Sequence, residues 1–342
     1  FMPAEFTAGS EYNHNSLHDI YLGYGRDFTQ NTNTFGAYLQ NEWKNDRFSI
    51  LVGARADKHS MMENVVISPR MNIRYNPIRD LGLRASWSSG YRAPQAYNED
   101  LHIEALDNKV AIIRLADGLK PEYSHSFSAS ADYYHSFGKV QTNFLLEGFY
   151  TMLDGIFTLE KIGEDEQGNI IKERRNASGA TVGGVSFEAK AGIPGIFEVQ
   201  AGYTFQRNMY NSPERWSDDV APQRRMFRSP EHYAYLTADY DITDHLKASL
   251  FGNYTGSMLV QHNKGVIEMD EEVMTPDFWD FSLKLSYDFH LSGNLRLELN
   301  AGIKNILDSY QRDLDYGPDK DAAYIYGPSL PRTYFAGVKF YL

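Results

Sequence analysis

The stretch LGLRASWSSGYRAPQAYNEDL, residues 81–101, joins a regular strand pattern to a segment with no pattern of its own. Its first part alternates apolar and polar side chains as a half-buried β-strand does, with Leu81, Leu83, Ala85 and Trp87 against Arg84, Ser86 and Ser88. Gly90 permits a bend, and Pro94 biases Ala93 away from the helical region and removes a donor from the ladder. The stretch therefore predicts a strand that ends here and continues as a loop.

The composition excludes several classes of protein. The 342 residues carry 33 Lys and Arg against 45 Asp and Glu, a net charge of −12, which disfavours nucleic acid as a partner. The chain has no cysteine, which excludes disulfides, thiol catalysis and thiolate metal sites. No run reaches the roughly 18–20 apolar residues of a membrane-spanning helix. A membrane β-barrel is still compatible with this composition, because its strands are only half apolar.

Segments with a period of two recur along the whole chain. Clear examples are RFSILVGARAD (47–57), VVISPRMNIRY (65–75), EYSHSFSASADYY (122–134), FEVQAGYTFQ (197–206) and NLRLELNAGIK (294–304). About fourteen such segments can be counted, far more strand than an ordinary domain contains. The pattern predicts an all-β protein.

The connections between these segments alternate in length. The short ones are 44–46, 76–80, 135–139, 193–195, 242–244 and 290–294, and the long ones are roughly 14–32, 90–121, 160–177, 208–231, 260–275 and 307–331. Only the connection at 58–64 breaks the rule. Short turns at one end and long loops at the other are typical of outer-membrane barrels, with periplasmic turns and extracellular loops.

The alternative is a soluble β-sandwich or barrel. Such a fold seldom keeps its long loops at one end, and it rarely carries charged ladders as regular as Arg55 with Asp57, or Arg70 with Arg74 and then Arg84. We therefore favour a transmembrane antiparallel β-barrel. The last segment, RTYFAGVKFYL (332–342), resembles the terminal strand that the outer-membrane assembly machinery recognises, although such strands usually end in Phe and this one ends in Leu342.

Several stretches resemble, in the expected order, the C-terminal barrel half of TonB-dependent outer-membrane receptors. They are ISPRMNIRYNP, LRASWSSGYRAPQAYNEDL, LKPEYSHS, RMFRSPEHYAYL, LNAGIKNILD and YGPDKDAAYIYGPSLPRTYFAGVKF. They cover nearly all of the chain, and YRAPQAYNEDLH looks similar to receptors of the Bacteroidetes group.

This resemblance implies a 22-stranded barrel with a plugged lumen, of which residues 1–342 are about the last fourteen strands. We expect the plug domain and the early strands to lie outside this chain. The resemblance also implies the outer membrane of a Gram-negative bacterium, a periplasmic C-terminus, contact with membrane lipid and lipopolysaccharide, and coupling to TonB through the missing N-terminus.

The function implied is active uptake of a metal chelate, such as a ferric siderophore or cobalamin, which carries iron or cobalt. Haem is less expected, because LADGLKPE stands where haem receptors have an Asn-Pro-Asn-Leu element and only Leu119 agrees. Two alternatives stay open. The chain could be a passive porin complete in fourteen strands, or a receptor that docks a surface lipoprotein, which captures the ligand.

Three candidate sites follow from the loops. Arg92, Tyr97 and His102 follow the strand quoted above, where the competing interpretation is a strand-end hinge and a solvated loop. Arg215, Trp216, Arg224 and Arg225 combine guanidinium and aromatic groups that can grip an anionic chelate, or instead hold neighbouring loops or lipid head groups.

The third candidate is a calcium site. Asp313, Asp315, Asp319 and Asp321 place four carboxylates in one loop, and Ca²⁺ prefers oxygen ligands. Gly317 does not fall where an EF-hand needs its turn glycine, so a charged apical loop is the competing interpretation. We expect no other cofactor in the chain.

Motifs of catalysis are missing from the sequence. It contains no Gly-x-Ser-x-Gly elbow, no phosphate-binding loop and no His-Glu-x-x-His. We therefore predict that the protein is not an enzyme.

Overall fold

The computed structural model describes residues 2–22, 26–97, 104–106, 109–166, 168–290, 293 and 295–341. Within these residues the chain forms 21 β-strands, of which 14 follow one another along a single sheet. In the same described ranges, no helix has the length and apolar character needed to cross a membrane.

The fourteen strands of the sheet are here called the wall. The wall strands are β1 (Ala4–Tyr21), β2 (Arg26–Lys44), β3 (Phe48–His59), β4 (Val66–Ile78), β5 (Leu81–Arg92), β8 (Glu122–Phe137), β9 (Val140–Asp154), β12 (Gly179–Ile193), β13 (Phe197–Glu214), β15 (His232–Asp241), β16 (Leu246–Thr255), β19 (Phe278–His290), β20 (Arg296–Lys304) and β21 (Thr333–Tyr341). Seven shorter strands lie in the loops: β6 (Glu104–Leu106), β7 (Lys109–Leu115), β10 (Phe157–Glu164), β11 (Ile170–Asn176), β14 (Gln223–Arg225), β17 (Leu259–His262) and β18 (Glu271–Met274).

The wall has the simplest possible topology. Each wall strand pairs antiparallel with the wall strand before it and the one after it, from β1 to β21. In the described part of the chain, β1 pairs only with β2 and β21 only with β20. The all-β, antiparallel prediction is confirmed, and the sheet is a partial barrel with an open edge on each side.

One face of the wall is continuously apolar and exposed. The register runs Val52–Met71–Trp87–Phe127–Tyr150 across five neighbouring strands, so these side chains form a row on one face. Phe127 and Tyr150 are 43% and 47% exposed. An apolar surface of this extent suits lipid and is unusual on a water-soluble monomer. The strand faces predicted from the alternation are those that the register shows.

The opposite face, here called the inner face, is polar. Ser86 and Ser128 share a hydrogen bond of 2.8 Å between their hydroxyls, and the Arg55 guanidinium contacts Asp57 at 2.8 Å and Glu11 at 3.1 Å. Because strand side chains alternate, an apolar outer row requires the intervening residues to lie on this face. The arrangement matches that of a membrane barrel, in which the lumen wall is polar.

The two ends of the wall differ in the length of their connections. Tight turns close one end, for example at 138–139 between β8 and β9, and long connections emerge at the other, here called the long-loop end. The predicted loop at 14–32 is wrong. β1 and β2 pair without a break from Ala4↔Trp43 to Tyr21↔Arg26, because an antiparallel ladder satisfies the backbone even where both side-chain faces are polar.

The boundary of β5 also differs from the prediction. The ladder with β8 continues past Gly90 to Arg92↔Glu122, so the strand ends just before Pro94 rather than at the glycine. A side chain at Gly90 would meet the Ser124 hydroxyl at 3.0 Å. Glycine is therefore used here for close approach to the neighbouring strand, and proline alone ends the ladder.

The long loops contain further strands. β10, β11, β7 and β6 form a four-stranded sheet in which β7 and β11, from two different connections, pair in parallel. β17 and β18 form a hairpin whose Val260 is fully buried with Met258 and Tyr324. The loops thus build small cores of their own above the wall.

Candidate functional site

The chain segment 93–97, which follows β5, folds over the inner face of β2 and β3. The Gln30 side-chain amide donates to the Ala96 carbonyl at 3.1 Å and accepts from the Ala96 N–H at 2.8 Å. The Gln30 amide therefore pairs with the backbone of Ala96 as a residue of a neighbouring strand would. Ala93 and Ala96 are buried, with 7% and 6% of their surface exposed. We call residues 93–97 the roof segment.

Two further hydrogen bonds fix the roof segment. His59 Nδ1 accepts from the Met61 N–H at 3.2 Å, so its Nε2 carries the proton and donates to Gln95 Oε1 at 3.1 Å. The Tyr97 hydroxyl donates to the Ala93 carbonyl at 2.7 Å, which closes the segment on itself. The imidazole of His59 is thus neutral in this arrangement.

Arg92 and Tyr97, two of the predicted site residues, are in direct contact. The Arg92 guanidinium lies 3.9 Å from the centroid of the Tyr97 ring and 3.8 Å from the Glu122 carboxylate. Such a cation–π contact is stronger where it is desolvated. Burial raises the pKa of the Tyr97 phenol, so this hydroxyl stays protonated.

Arg174 is a member of this cluster that sequence reasoning did not find. Its guanidinium lies 5.9 Å from the Tyr97 ring centroid and 5.6 Å from that of Phe157, and the residue is 5% exposed. It belongs to β11, which lies in a different loop. Nothing in the local sequence of β11 indicates this contact, because it depends on how two loops pack.

The roof segment covers a concave site at the long-loop end of the inner face. The cavity has a volume of about 270 Å³. Its lining comes from β1, β2, the end of β3, the end of β5 and the roof segment: Asn13, Asn15, Thr32, Thr34, His59, Tyr91, Arg92, Ala93, Gln95 and Tyr97. Concave sites with a few convergent polar groups are the usual form of a ligand site. His102, the third residue predicted for this site, lies outside the described residues.

The second predicted site does not form a convergent cluster. Trp216 Nε1 donates to Glu272 at 3.2 Å, Arg224 donates to the Tyr210 carbonyl at 2.9 Å, and Arg225 contacts Glu231 at 3.2 Å. These contacts hold neighbouring parts of the loops together. Arg215 is exposed. A role for this group in gripping a ligand stays a prediction.

The four aspartates predicted to bind Ca²⁺ are engaged in different ways. Asp313 accepts from the hydroxyls of Tyr324 and Tyr326, and Asp315 contacts His262 Nε2 at 3.0 Å. The Asp321 carboxylate accepts two hydrogen bonds from Asn263, and Asp319 is exposed. In the described ranges, no group of three or more His, Asp or Glu residues is arranged to hold a metal ion. Ca²⁺ binding by this loop stays a prediction.

These contacts join three connections into one body, here called the loop unit. It consists of residues 215–231, 256–277 and 305–332. The Arg228 guanidinium donates to the carbonyls of Ile325, at 2.8 Å, and Ala323. The His262 imidazole stacks on the Tyr324 ring at 3.7 Å between centroids. Burial and the neighbouring Asp313 carboxylate raise the pKa of Tyr324 to about 12.

Comparison with known proteins agrees with this architecture. A sequence profile described as "TonB dependent receptor-like, beta-barrel" matches residues 3–306. No curated protein sequence matches the chain.

Solved structures similar to this chain include several receptors. One is a variant of the ferric enterobactin receptor of Pseudomonas aeruginosa in complex with enterobactin (TM-score 0.71, 16% identity, 98% of this chain and 51% of that one). Others are the siderophore receptor PirA of Acinetobacter baumannii (0.69, 17%, 99% and 52%) and the FrpB iron transporter of Neisseria meningitidis (0.68, 14%, 98% and 53%). At these identities the likeness shows the fold.

The chain spans about half the length of the structures that it matches. The profile match covers most of the chain, and the antiparallel wall and its polar inner face are the architecture that the resemblance implied. The chain therefore belongs to the family of TonB-dependent receptor-like β-barrels.

Proposed function

We propose that this chain is part of the barrel of a receptor that imports a metal chelate across the outer membrane, driven by TonB. The observation that carries the proposal is the roofed polar cavity at the long-loop end of a family barrel wall. In this proposal the long-loop end is extracellular, the cavity faces incoming cargo, and the remaining strands and the plug complete the receptor. Cargo of the ferric siderophore class is favoured because the structurally similar proteins include a siderophore receptor and a ferric enterobactin receptor. Cobalamin is a second cargo to be tested.

The passive porin is the weaker alternative. A pore needs a closed wall, whereas in the described residues neither β1 nor β21 has a second partner strand. The open edges suit additional strands from the same receptor better than closure of these fourteen.

Docking of a surface lipoprotein is a second candidate function, and one observation favours it. The loop unit exposes apolar side chains, with Val266, Met269 and Tyr316 exposed by 54%, 59% and 76%. Where exposed apolar side chains form one contiguous patch, the patch often marks an interaction surface. Charged substitutions at Val266 and Met269 should abolish co-purification of such a lipoprotein with the full-length receptor.

The proposed transport is tested in cells. The full-length gene is expressed in a Gram-negative host that lacks its own receptors, with and without TonB. Uptake of ⁵⁵Fe-labelled catecholate and hydroxamate chelates and of labelled cobalamin is then measured. We expect saturable uptake of one of these that needs both the receptor and TonB. Size-limited entry of small solutes without TonB would instead establish the porin.

A further inference from the structure

We infer that the roofed cavity is a subsite for an uncharged, polyhydroxylated group about the size of one sugar ring. The inference rests on the proposed function, because it names the part of the cargo that this wall of the receptor binds. Four observations carry it: unused hydrogen-bonding capacity, near-neutral charge, small volume and a roof that is already in place.

The cavity wall has polar side chains that form no hydrogen bond with the rest of the described chain. Asn13, Asn15, Thr32 and Thr34 line the cavity, and within the described part of the chain their side chains form no hydrogen bond. Amides and hydroxyls both donate and accept. Their natural complement is a group that also donates and accepts at several adjacent positions, as the hydroxyls of a sugar do.

The charge of the cavity is close to neutral. His59 is neutral, since its Nδ1 accepts a backbone N–H. Among the described residues that line the cavity, Arg92 alone is formally charged, and its guanidinium already lies against the Glu122 carboxylate and the Tyr97 ring. A site for the charged centre of a ferric chelate would instead present several unopposed cations. The lining therefore favours an uncharged group.

The volume of the cavity suits an occupant the size of one ring. About 270 Å³ lies just below the roughly 300 Å³ at which cavities begin to hold drug-sized ligands. The site is open on one side, so the rest of a larger cargo can extend beyond it while one ring lies in the cavity. Tyr91 in the lining supplies aromatic surface and a hydroxyl in one side chain, which suits the mixed apolar and polar faces of a sugar ring.

The site is also preorganised. Gln30 and His59 hold the roof segment in place through three hydrogen bonds from two wall strands, all of them within the protein. Binding of a ligand therefore requires no further loss of conformational entropy in this segment.

A sugar ring can reach this site from two sources, and the test distinguishes them. The full-length receptor is purified in detergent, and its affinity is measured for three probes. These are an Fe(III)–catecholate chelate, the same chelate carrying glucosyl groups, and maltotriose without metal. Each probe is also measured with Asn13→Ala/Thr34→Ala and with a control, Asn72→Ala, on the inner face of β4 and outside the cavity.

We expect the glucosylated chelate to bind about tenfold more tightly than the plain chelate, and the double substitution to remove that difference, since two hydrogen bonds are lost. The Asn72→Ala variant should retain it. If maltotriose binds and the double substitution weakens that binding about tenfold, the subsite is supported and a free oligosaccharide is the source of its sugar. The proposed cargo would then be an oligosaccharide rather than a metal chelate.

Two outcomes overturn the inference. If both chelates bind equally and maltotriose does not bind, the subsite is wrong while chelate uptake stands. If no probe binds to a receptor that melts as a folded barrel, both the subsite and the proposed cargo class are wrong. Thermal unfolding of each variant, compared with the wild type, excludes loss of the fold as the cause.

Discussion

Gln30 and Ala96 lie 66 residues apart in the chain, yet the side-chain amide of Gln30 both donates to and accepts from the backbone of Ala96. This pair brings the segment after β5 onto the inner face of β2. It converts what the sequence presents as an unpatterned loop into the roof of a cavity. The following predictions concern this roof and the loop unit.

Removing the Gln30 amide should release the roof segment. Gln30→Ala deletes both hydrogen bonds and leaves the buried backbone groups of Ala96 without a partner, a loss of about 1–3 kcal/mol of local stability. Hydrogen–deuterium exchange of a peptide containing residues 93–97 should become faster. Gln141→Ala, at an exposed position near a tight turn, is the matched control and should leave this exchange unchanged. Equal exchange in the two variants would show that other contacts hold the roof.

The planar guanidinium of Arg92 should matter as well as its charge. Arg92→Lys keeps the charge but loses the flat group that stacks on Tyr97, and Arg92→Ala loses both. Because a cation–π contact contributes about 0.5–2 kcal/mol, we expect cargo affinity to fall about two- to thirtyfold for Ala and less for Lys. Arg84→Ala, on the inner face of the same strand but outside the cavity, is the control for titration calorimetry. A Lys variant as weak as the Ala variant would point to shape rather than charge.

The contacts of Arg228 should decide whether the loop unit moves as one body. Its guanidinium bonds two carbonyls of another connection, at Ala323 and Ile325. We expect Arg228→Ala to speed hydrogen exchange in residues 305–332, with a local cost of about 1–3 kcal/mol. Arg215→Ala removes an exposed guanidinium from the same loop unit and is the matched control. Should both variants exchange alike, the unit is held by its hairpin core instead.

The loop unit should open in alkali before the wall unfolds. The Tyr324 phenol has a folded pKa of about 12 against an ordinary value of 10.0. Between these pH values the closed unit retains a proton that the opened unit has lost, so its stability falls as pH rises from 10 to 12 and is unaffected below 10. Phenolate absorbance, recorded alongside exchange of residues 305–332, measures this.

Tyr324→Phe is the control for the alkaline transition. It cannot ionise, but it keeps the ring that stacks on His262. We expect its loop unit to stay closed to a higher pH than that of the wild type. An identical transition in both proteins would assign the opening to another group.

The strands of the wall could be predicted from the sequence, but the positions at which some of them end could not. The faces of β3, β4 and β5 follow from their alternation alone, because a strand that separates lipid from a polar lumen must obey a period of two. The paired extension of β1 and β2 through 14–32 was missed, since beyond the lipid both faces are polar and the signal disappears. The true end of β5 at Arg92 depended on a close approach of Gly90 to Ser124.

The candidate site divides in the same way. Arg92 and Tyr97 were found because the motif that ends β5 is local and its residue types are conspicuous. Gln30, His59 and Arg174 were missed, because each reaches the site from a different strand and none has a local signature. From the sequence we predicted that the arginines near Trp216 bind a ligand. In the structure Arg224 and Arg225 contact neighbouring parts of the loops, and ligand binding by this group stays a prediction.

By itself the sequence determined the all-β class, the antiparallel order of the wall and the division into tight turns and long loops. These features arise from short-range rules, namely side-chain alternation and turn chemistry, that act within a dozen residues. Only the tertiary structure decided that 93–97 folds inward, that polar side chains from four wall strands meet in one cavity, and that three loops form a unit. Those outcomes depend on contacts such as Gln30 with Ala96, whose energies exist only once distant strands have been aligned by the wall.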